Sequence, residues 1–150
     1  MTHSYRVHYF HLIWSTKGRK PFIKLEIESR LYDYLGGITR SHKGSLLEIG
    51  GMPDHVHLLI KFSSIDKYSD FIRALKANST LWIHKNFQQF KDFEWQEGYG
   101  SYSVSYSSLD AVQKYIQNQE EHHRVMTFDE EYQKFLKGCG VQYDERFVLG

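Results

Sequence analysis

The chain has one cysteine, Cys139, and two prolines, Pro21 and Pro53, in 150 residues. A lone cysteine excludes an intramolecular disulfide and any cysteine-rich zinc site. No run approaches the ~20 apolar residues of a membrane span, and the N-terminus lacks the apolar segment of a signal peptide. The expectation is a cytoplasmic protein without a membrane partner. Three further signatures are missing: H-E-x-x-H, the glycine–lysine nucleotide loop and the dinucleotide glycine fingerprint. Acidic residues are scattered, which argues against a site built from carboxylates alone. No repeat, low-complexity stretch or linker divides the sequence, so residues 1–150 read as a single domain with chain enough for a core.

An excess of charge of one sign is also missing, at 19 Lys or Arg against 18 Asp or Glu. The charges are unevenly placed. Residues 1–45 carry eight basic residues against Glu26, Glu28 and Asp33, and the remainder carries eleven against fifteen. A basic amino-terminal part favours a polyanionic partner. What the sequence does have is aromatics, with eleven Tyr, ten Phe and three Trp. Rings interleaved with basic residues suit single-stranded nucleic acid, where bases stack and phosphates lie in a basic groove. Lys17, Arg19, Lys20, Arg73 and Lys76 are the candidate phosphate contacts.

"RVHYFHLIWST", residues 6–16, is apolar on both faces, as a central strand is. Residues 24–43 place Ile27, Leu31, Tyr34 and Leu35 on one helical stripe. "SLLEIGG" and "HVHLLIKF" read as a hairpin joined through Gly50–Pro53. From Asp66 to Phe87, an amphipathic helix is marked by Tyr68, Phe71, Ile72, Leu75 and Trp82, with Arg73, Lys76 and Thr80 on its polar face. "WQEGYGSYSVSY" reads as a strand, and Ser107 with Asp110 as a capping box opening a helix through His123. A shorter helix over 127–136 and the tail "VQYDERFVLG" follow. Strand, helix, hairpin, helix, strand is the order of a ferredoxin-like α+β sandwich, an antiparallel sheet with helices packed on one face. The strands at 6–16 and 55–62 are apolar on both sides, so a second covering surface is expected, and a two-fold homodimer would supply it.

The chemistry concentrates in "MPDHVHLLI". Alternation along a strand points His55 and His57 the same way, with β-carbons roughly 6.5 Å apart. Two imidazoles at that spacing can converge on one ion, and they can equally be packed core histidines; both readings stand on the residues alone. Asp54, by the same alternation, faces away and is not taken as a ligand. In "YIQNQEEHHR", Tyr115 and Gln119 lie four apart and share a helix face. His122 and His123 point about 100° apart, so they read as a solvated helix end.

"MPDHVHLL" together with the downstream "YIQNQ" resembles the small one-tyrosine transposases of the HUH endonuclease superfamily, the insertion sequence 200/605 family. The similarity runs from "HLIWSTKGRKPF" through "SYSVSYSSLDAVQKYIQNQEEHHR" to the "YDERFV" tail. It implies the HUH endonuclease fold and a transposase that cleaves and rejoins single-stranded DNA at hairpins near element ends. His55, His57 and Gln119 become metal ligands for Mg²⁺ or Mn²⁺. Tyr115 becomes the nucleophile that forms a 5′-phosphotyrosine. The resemblance also implies a homodimer in which active sites are shared between subunits. A catalytically inactive binding protein of the same fold, or a purely hydrolytic nuclease, are the competing readings.

Overall fold

The computed structural model describes residues 3–142, so the "YDERFV" tail lies outside the described residues. Its elements are β1 (Tyr9–Ser15), α1 (Leu25–Ser41), β2 (Ser45–Met52), β3 (His55–Lys61), α2 (Tyr68–Asn86), β4 (Gly100–Val104), α3 (Leu109–Gln117), α4 (Gln119–His122) and α5 (Phe128–Gly138). The four strands form one antiparallel sheet in the order β2-β3-β1-β4. This is the α+β arrangement expected from the element order.

Alternation assigns each sheet face a separate task. Leu12 and Trp14 of β1, with Val56, Leu58 and Ile60 of β3, face one way. They meet Leu31, Leu35 and Ile38 of α1 and Phe71, Ile72, Leu75 and Ile83 of α2 in the main core. Burying each such side chain contributes roughly 1.5–3 kcal/mol. Tyr34 and Trp82 stack at 4.9 Å between α1 and α2, which explains their places on the predicted stripes.

The opposite face carries His11, Ile13 and Ser15 of β1 beside His55 and His57 of β3. Helices α3, α4 and α5 of the same chain cover it. Ile116 of α3 is buried there, and Ile13, Phe128 and Tyr132 form a smaller cluster with Tyr102 and Leu136. The expectation of helices on one face alone is therefore corrected: the second covering surface is present within the chain.

Two local expectations also change. The hairpin turn is Pro53–Asp54, with Gly50 and Gly51 inside β2. Gly50 is required there because a β-carbon would come within 2.6 Å of the Ile116 carbonyl oxygen, where α3 crosses the strand. The Ser107–Asp110 capping box does not form. Ser108 precedes α3 without a side-chain cap, and the hydroxyl of Ser105 bonds those of Ser107 and Ser108 instead. The capping box opens α5, between Thr127 and Glu130.

Candidate active site

His55 and His57 are fully buried on the second sheet face, under α4 and α5. The Nε2 atoms of both rings point into that layer. His55 Nε2 lies 3.0 Å from Gln119 Oε1, and His57 Nε2 lies 3.0 Å from Glu131 Oε1. Their other nitrogens are tied from behind. His55 Nδ1 sits 2.7 Å from Asp54 Oδ1, and His57 Nδ1 sits 2.8 Å from His11 Nε2. Asp54 belongs to the turn rather than the strand, so alternation does not govern it and its carboxylate reaches back to the ring.

Tyr115 and Gln119 are brought to the same place, although not by one continuous helix. The helix breaks at Asn118, which has φ −99° and ψ 25°. Across the break, Gln119 Nε2 donates to the Tyr115 carbonyl at 3.2 Å. That bond fixes the amide so that Oε1 faces His55 and also His123, whose Nε2 is 2.9 Å away. The Tyr115 hydroxyl donates to Glu131 Oε2 and lies 3.0 Å from His122 Nε2.

His122, His123 and Glu131, which the sequence pattern does not single out, also line the site. His123 Nε2 lies 3.3 Å from Glu131 Oε1, and His122 Nε2 lies 3.1 Å from Glu131 Oε2. Adjacent helical residues do diverge, but these two reach opposite oxygens of one carboxylate. The available signal was the Gln119–His123 spacing of four, which places both on one helix face. For Glu131 the signal was an acid lying between Phe128, Tyr132 and Phe135 on the apolar stripe of α5. Among the described residues, His55, His57, His123 and Glu131 form a group positioned to bind a metal ion, with ligand atoms within 4.8 Å of one another.

Electrostatics set the protonation of the group. Burial lowers the pKa of His57 to about 4, against the opposing pull of Glu131. Burial, reinforced by His57, lowers His11 to about 3. Burial works to raise Glu131, yet hydrogen bonds from His123, His57 and Tyr115 hold its carboxyl well below the usual carboxylate range. Burial and then Glu131 push the Tyr115 phenol well above its ordinary value. On His123 burial opposes the charge, but the Glu131 hydrogen bond and charge outweigh it and raise the pKa. At neutral pH the site thus holds an ionised Glu131, a protonated phenol, and neutral His11 and His57.

Three imidazole nitrogens and one carboxylate oxygen, all directed inward, suit a divalent first-row ion, and Gln119 Oε1 adds a further oxygen at the edge. The outer partners Asp54 and His11 are what ligating imidazoles need. The cluster therefore fits a metal.

The basic candidates lie in different places, Arg19 beside the site and Arg73 and Lys76 on α2, which covers the opposite sheet face. Arg19 pairs with Asp129 at 3.1 Å and lines a cavity of about 350 Å³ beside Asp54 and His123. Lys17 pairs with Glu94, Arg73 with Asp70, and Lys20 is exposed. Arg73 and Lys76 line a groove of about 500 Å³ with Thr80, Trp95 and Tyr99. Lys76 donates to the carbonyls of Gln96, Glu97 and Gly98, so its three donors hold that loop in place.

Compared with known families, residues 4–119 match the family described as transposase IS200 like. The chain belongs to this transposase family. It is 31% identical over 115 residues to the ISDra2 transposase TnpA of Deinococcus radiodurans, covering 73% of this chain and 82% of that protein. A crystal structure described as a transposase from Deinococcus radiodurans R1 superposes with a TM-score of 0.65 at 31% identity, over 79% of this chain and 95% of the other. The structure of a REP-associated tyrosine transposase bound to a REP hairpin superposes with a TM-score of 0.62 at 14% identity, over 82% of this chain and 72% of the other. That second likeness shows the shared fold. As a transposase of this family, the chain has DNA cleavage and strand transfer as its activity. No helix among the described residues is long and apolar enough to cross a membrane.

Proposed function

We propose that this transposase cleaves and rejoins single-stranded DNA at insertion-sequence ends through a 5′-phosphotyrosine on Tyr115, with Mg²⁺ or Mn²⁺ held by His55, His57 and Gln119. The observation that carries the reading is the convergence of the Tyr115 hydroxyl and the inward nitrogens of His55 and His57 on one small volume, occupied by the Glu131 carboxylate. Gln119 Oε1 borders it. When bound, the ion supplies Lewis-acid polarisation of the scissile phosphate.

Tyr115 attacks phosphorus, the bond to the 3′ oxygen breaks, and a 3′-hydroxyl is released. The reverse attack by a 3′-hydroxyl on the phosphotyrosine rejoins the strand. One phosphodiester is exchanged for another, so the step draws on no nucleotide, in line with the missing nucleotide loop. The raised pKa of Tyr115 means that its proton must be taken up during attack, and Glu131 Oε2 already accepts that hydrogen.

The substrate is read as a hairpin-bearing single strand, a reading supported by the REP hairpin held by one fold relative. Arg19, Lys17, Lys20 and Arg73 serve as phosphate contacts, while Lys76 shapes the loop beside them. The chain acts as one domain over 1–150, in the cytoplasm, and as a two-fold homodimer. The test is adduct formation. Incubation with an oligonucleotide spanning the element's end should give a covalent protein–DNA band on a denaturing gel. Mass spectrometry should place the nucleotide on Tyr115, and Tyr115→Phe should abolish the band while leaving binding intact. Cleavage that persists in Tyr115→Phe without an adduct would establish the hydrolytic reading instead.

A further inference from the structure

We propose that His11 is a positioning residue for His57, acting as a tautomeric partner that lets this imidazole switch between hydrogen-bond donor and metal ligand. The inference rests on the transposase reading of the site, in which His57 ligates through Nε2.

A neutral imidazole carries one proton and one lone pair. With no ion bound, His57 Nε2, 3.0 Å from Glu131 Oε1, would carry the proton and donate to that carboxylate. His57 Nδ1 is then an acceptor, and His11 Nε2, 2.8 Å away, must donate to it. Ligation reverses these roles. Were His57 to hold an ion through the Nε2 lone pair, its proton would sit on Nδ1 and His11 Nε2 would have to accept. His11 makes that exchange by shifting its own proton to Nδ1. No proton is gained or lost by the pair, and no nitrogen at their contact is left unpaired.

A carboxylate in place of His11 could only accept, and a lysine could only donate. Asp54 shows the contrast on the neighbouring ligand: its carboxylate can only accept, so it holds His55 with the Nδ1 proton outward whether or not an ion is bound. The protein thus backs its two ligating imidazoles differently. His11 is 3% exposed and is held at that spot by β1. The edge of its ring meets Phe135 of α5 at 5.2 Å and 83°, so the imidazole has little freedom to turn away.

The experiment uses the whole chain labelled with ¹⁵N-histidine, and Zn²⁺ as a diamagnetic probe ion. Long-range ¹⁵N–¹H spectra report which ring nitrogen carries each proton. Without metal, the expectation is His11 protonated at Nε2 and His57 at Nε2. With Zn²⁺, both should shift to Nδ1. A His11 that keeps its Nε2 proton in the zinc-loaded protein overturns the proposal.

Affinity supplies the second readout, by competition of Mn²⁺ against a chromophoric chelator. His11→Phe keeps the ring and removes both nitrogens, and should weaken Mn²⁺ binding by about 10–100-fold, the usual cost of losing an outer partner. His11→Gln, whose amide can donate or accept after a flip, should recover most of that loss. Equal affinity in wild type and His11→Phe overturns the proposal while leaving the metal site intact. Unchanged affinity in His57→Ala would instead overturn the metal-site reading itself.

Discussion

Acidifying the metal-free protein from pH 7 to pH 4 should remove on the order of 5 kcal/mol of stability through two side chains, His11 and His57. Both are buried and neutral, with pKa values lowered from 6.5 to about 3 and about 4. An unfolded histidine titrates near ~6.5, so below that pH the unfolded chain binds protons that the folded chain refuses. Stability is therefore full above about pH 6.5 and is lost as pH falls toward the folded values. At ~1.4 kcal/mol per pH unit, His57 loses roughly 3 kcal/mol by pH 4, and His11 a similar amount. The rings lie 2.8 Å apart and each lowers the other's affinity for a proton, so the two losses overlap and the sum falls short of ~6 kcal/mol. Urea unfolding at stepped pH measures this. Comparing wild type with His11→Phe cancels the carboxylates common to both. The variant, left with His57 alone, should lose less by roughly 2 kcal/mol, with the whole difference developing below pH 6.5. Parallel losses in the two proteins would refute the buried neutral pair.

Glu131→Gln and His123→Ala should each weaken Mn²⁺ binding by about 10-fold or more, because both side chains stand in the same cluster as His55 and His57; unchanged calorimetric titrations would leave His55, His57 and Gln119 as the whole ligand set. Gly50→Ala should cost about 1–3 kcal/mol in urea unfolding and reduce cleavage, because the new β-carbon meets the Ile116 carbonyl at 2.6 Å beside Tyr115. A wild-type unfolding curve would show that α3 sits farther from β2. Tyr115 meets the ligands of its own chain here, so an equimolar mixture of Tyr115→Phe and His57→Ala chains should stay inactive. Restored cleavage in that mixture would show that subunits share their sites, as the family resemblance implies.

Much of this architecture was legible because period and chemistry agreed. The five apolar positions in 66–87 fixed α2 and its buried face, and the alternation of "HVHLLI" fixed which way His55 and His57 point. The proximity of Tyr115 and Gln119 was legible through their spacing, and where the helix breaks between them the Gln119 amide donates to the Tyr115 carbonyl. Other features were illegible for stated physical reasons. Strand alternation does not reach Asp54, because the turn ends there and β3 begins at His55. Ser107 satisfied a motif whose hydroxyl was claimed by another serine. The divergence of His122 and His123 hides the role of His123, whose partner Gln119 is four residues earlier. His11 lay inside an apolar strand with no local mark of its role, since its partner is 46 positions away in sequence.

The reach of the family match separates two parts of the site. Residues 4–119 contain the whole sheet, both core helices, His55, His57, Tyr115 and Gln119. His123 and Glu131 come afterwards, on the segment that closes the site. That segment has a small apolar anchorage, with Phe128 and Tyr132 packed on Ile13, whereas α1 and α2 share the extensive core of the opposite face. Its polar anchorage is the Glu131 carboxylate, which takes hydrogen bonds from His57 and Tyr115. A buried carboxylate is tolerable only while those donors are present. The contacts that hold α5 down are thus the contacts that place Glu131 between His57 and Tyr115, so docking of α5 and assembly of the cluster draw on a single set of side chains.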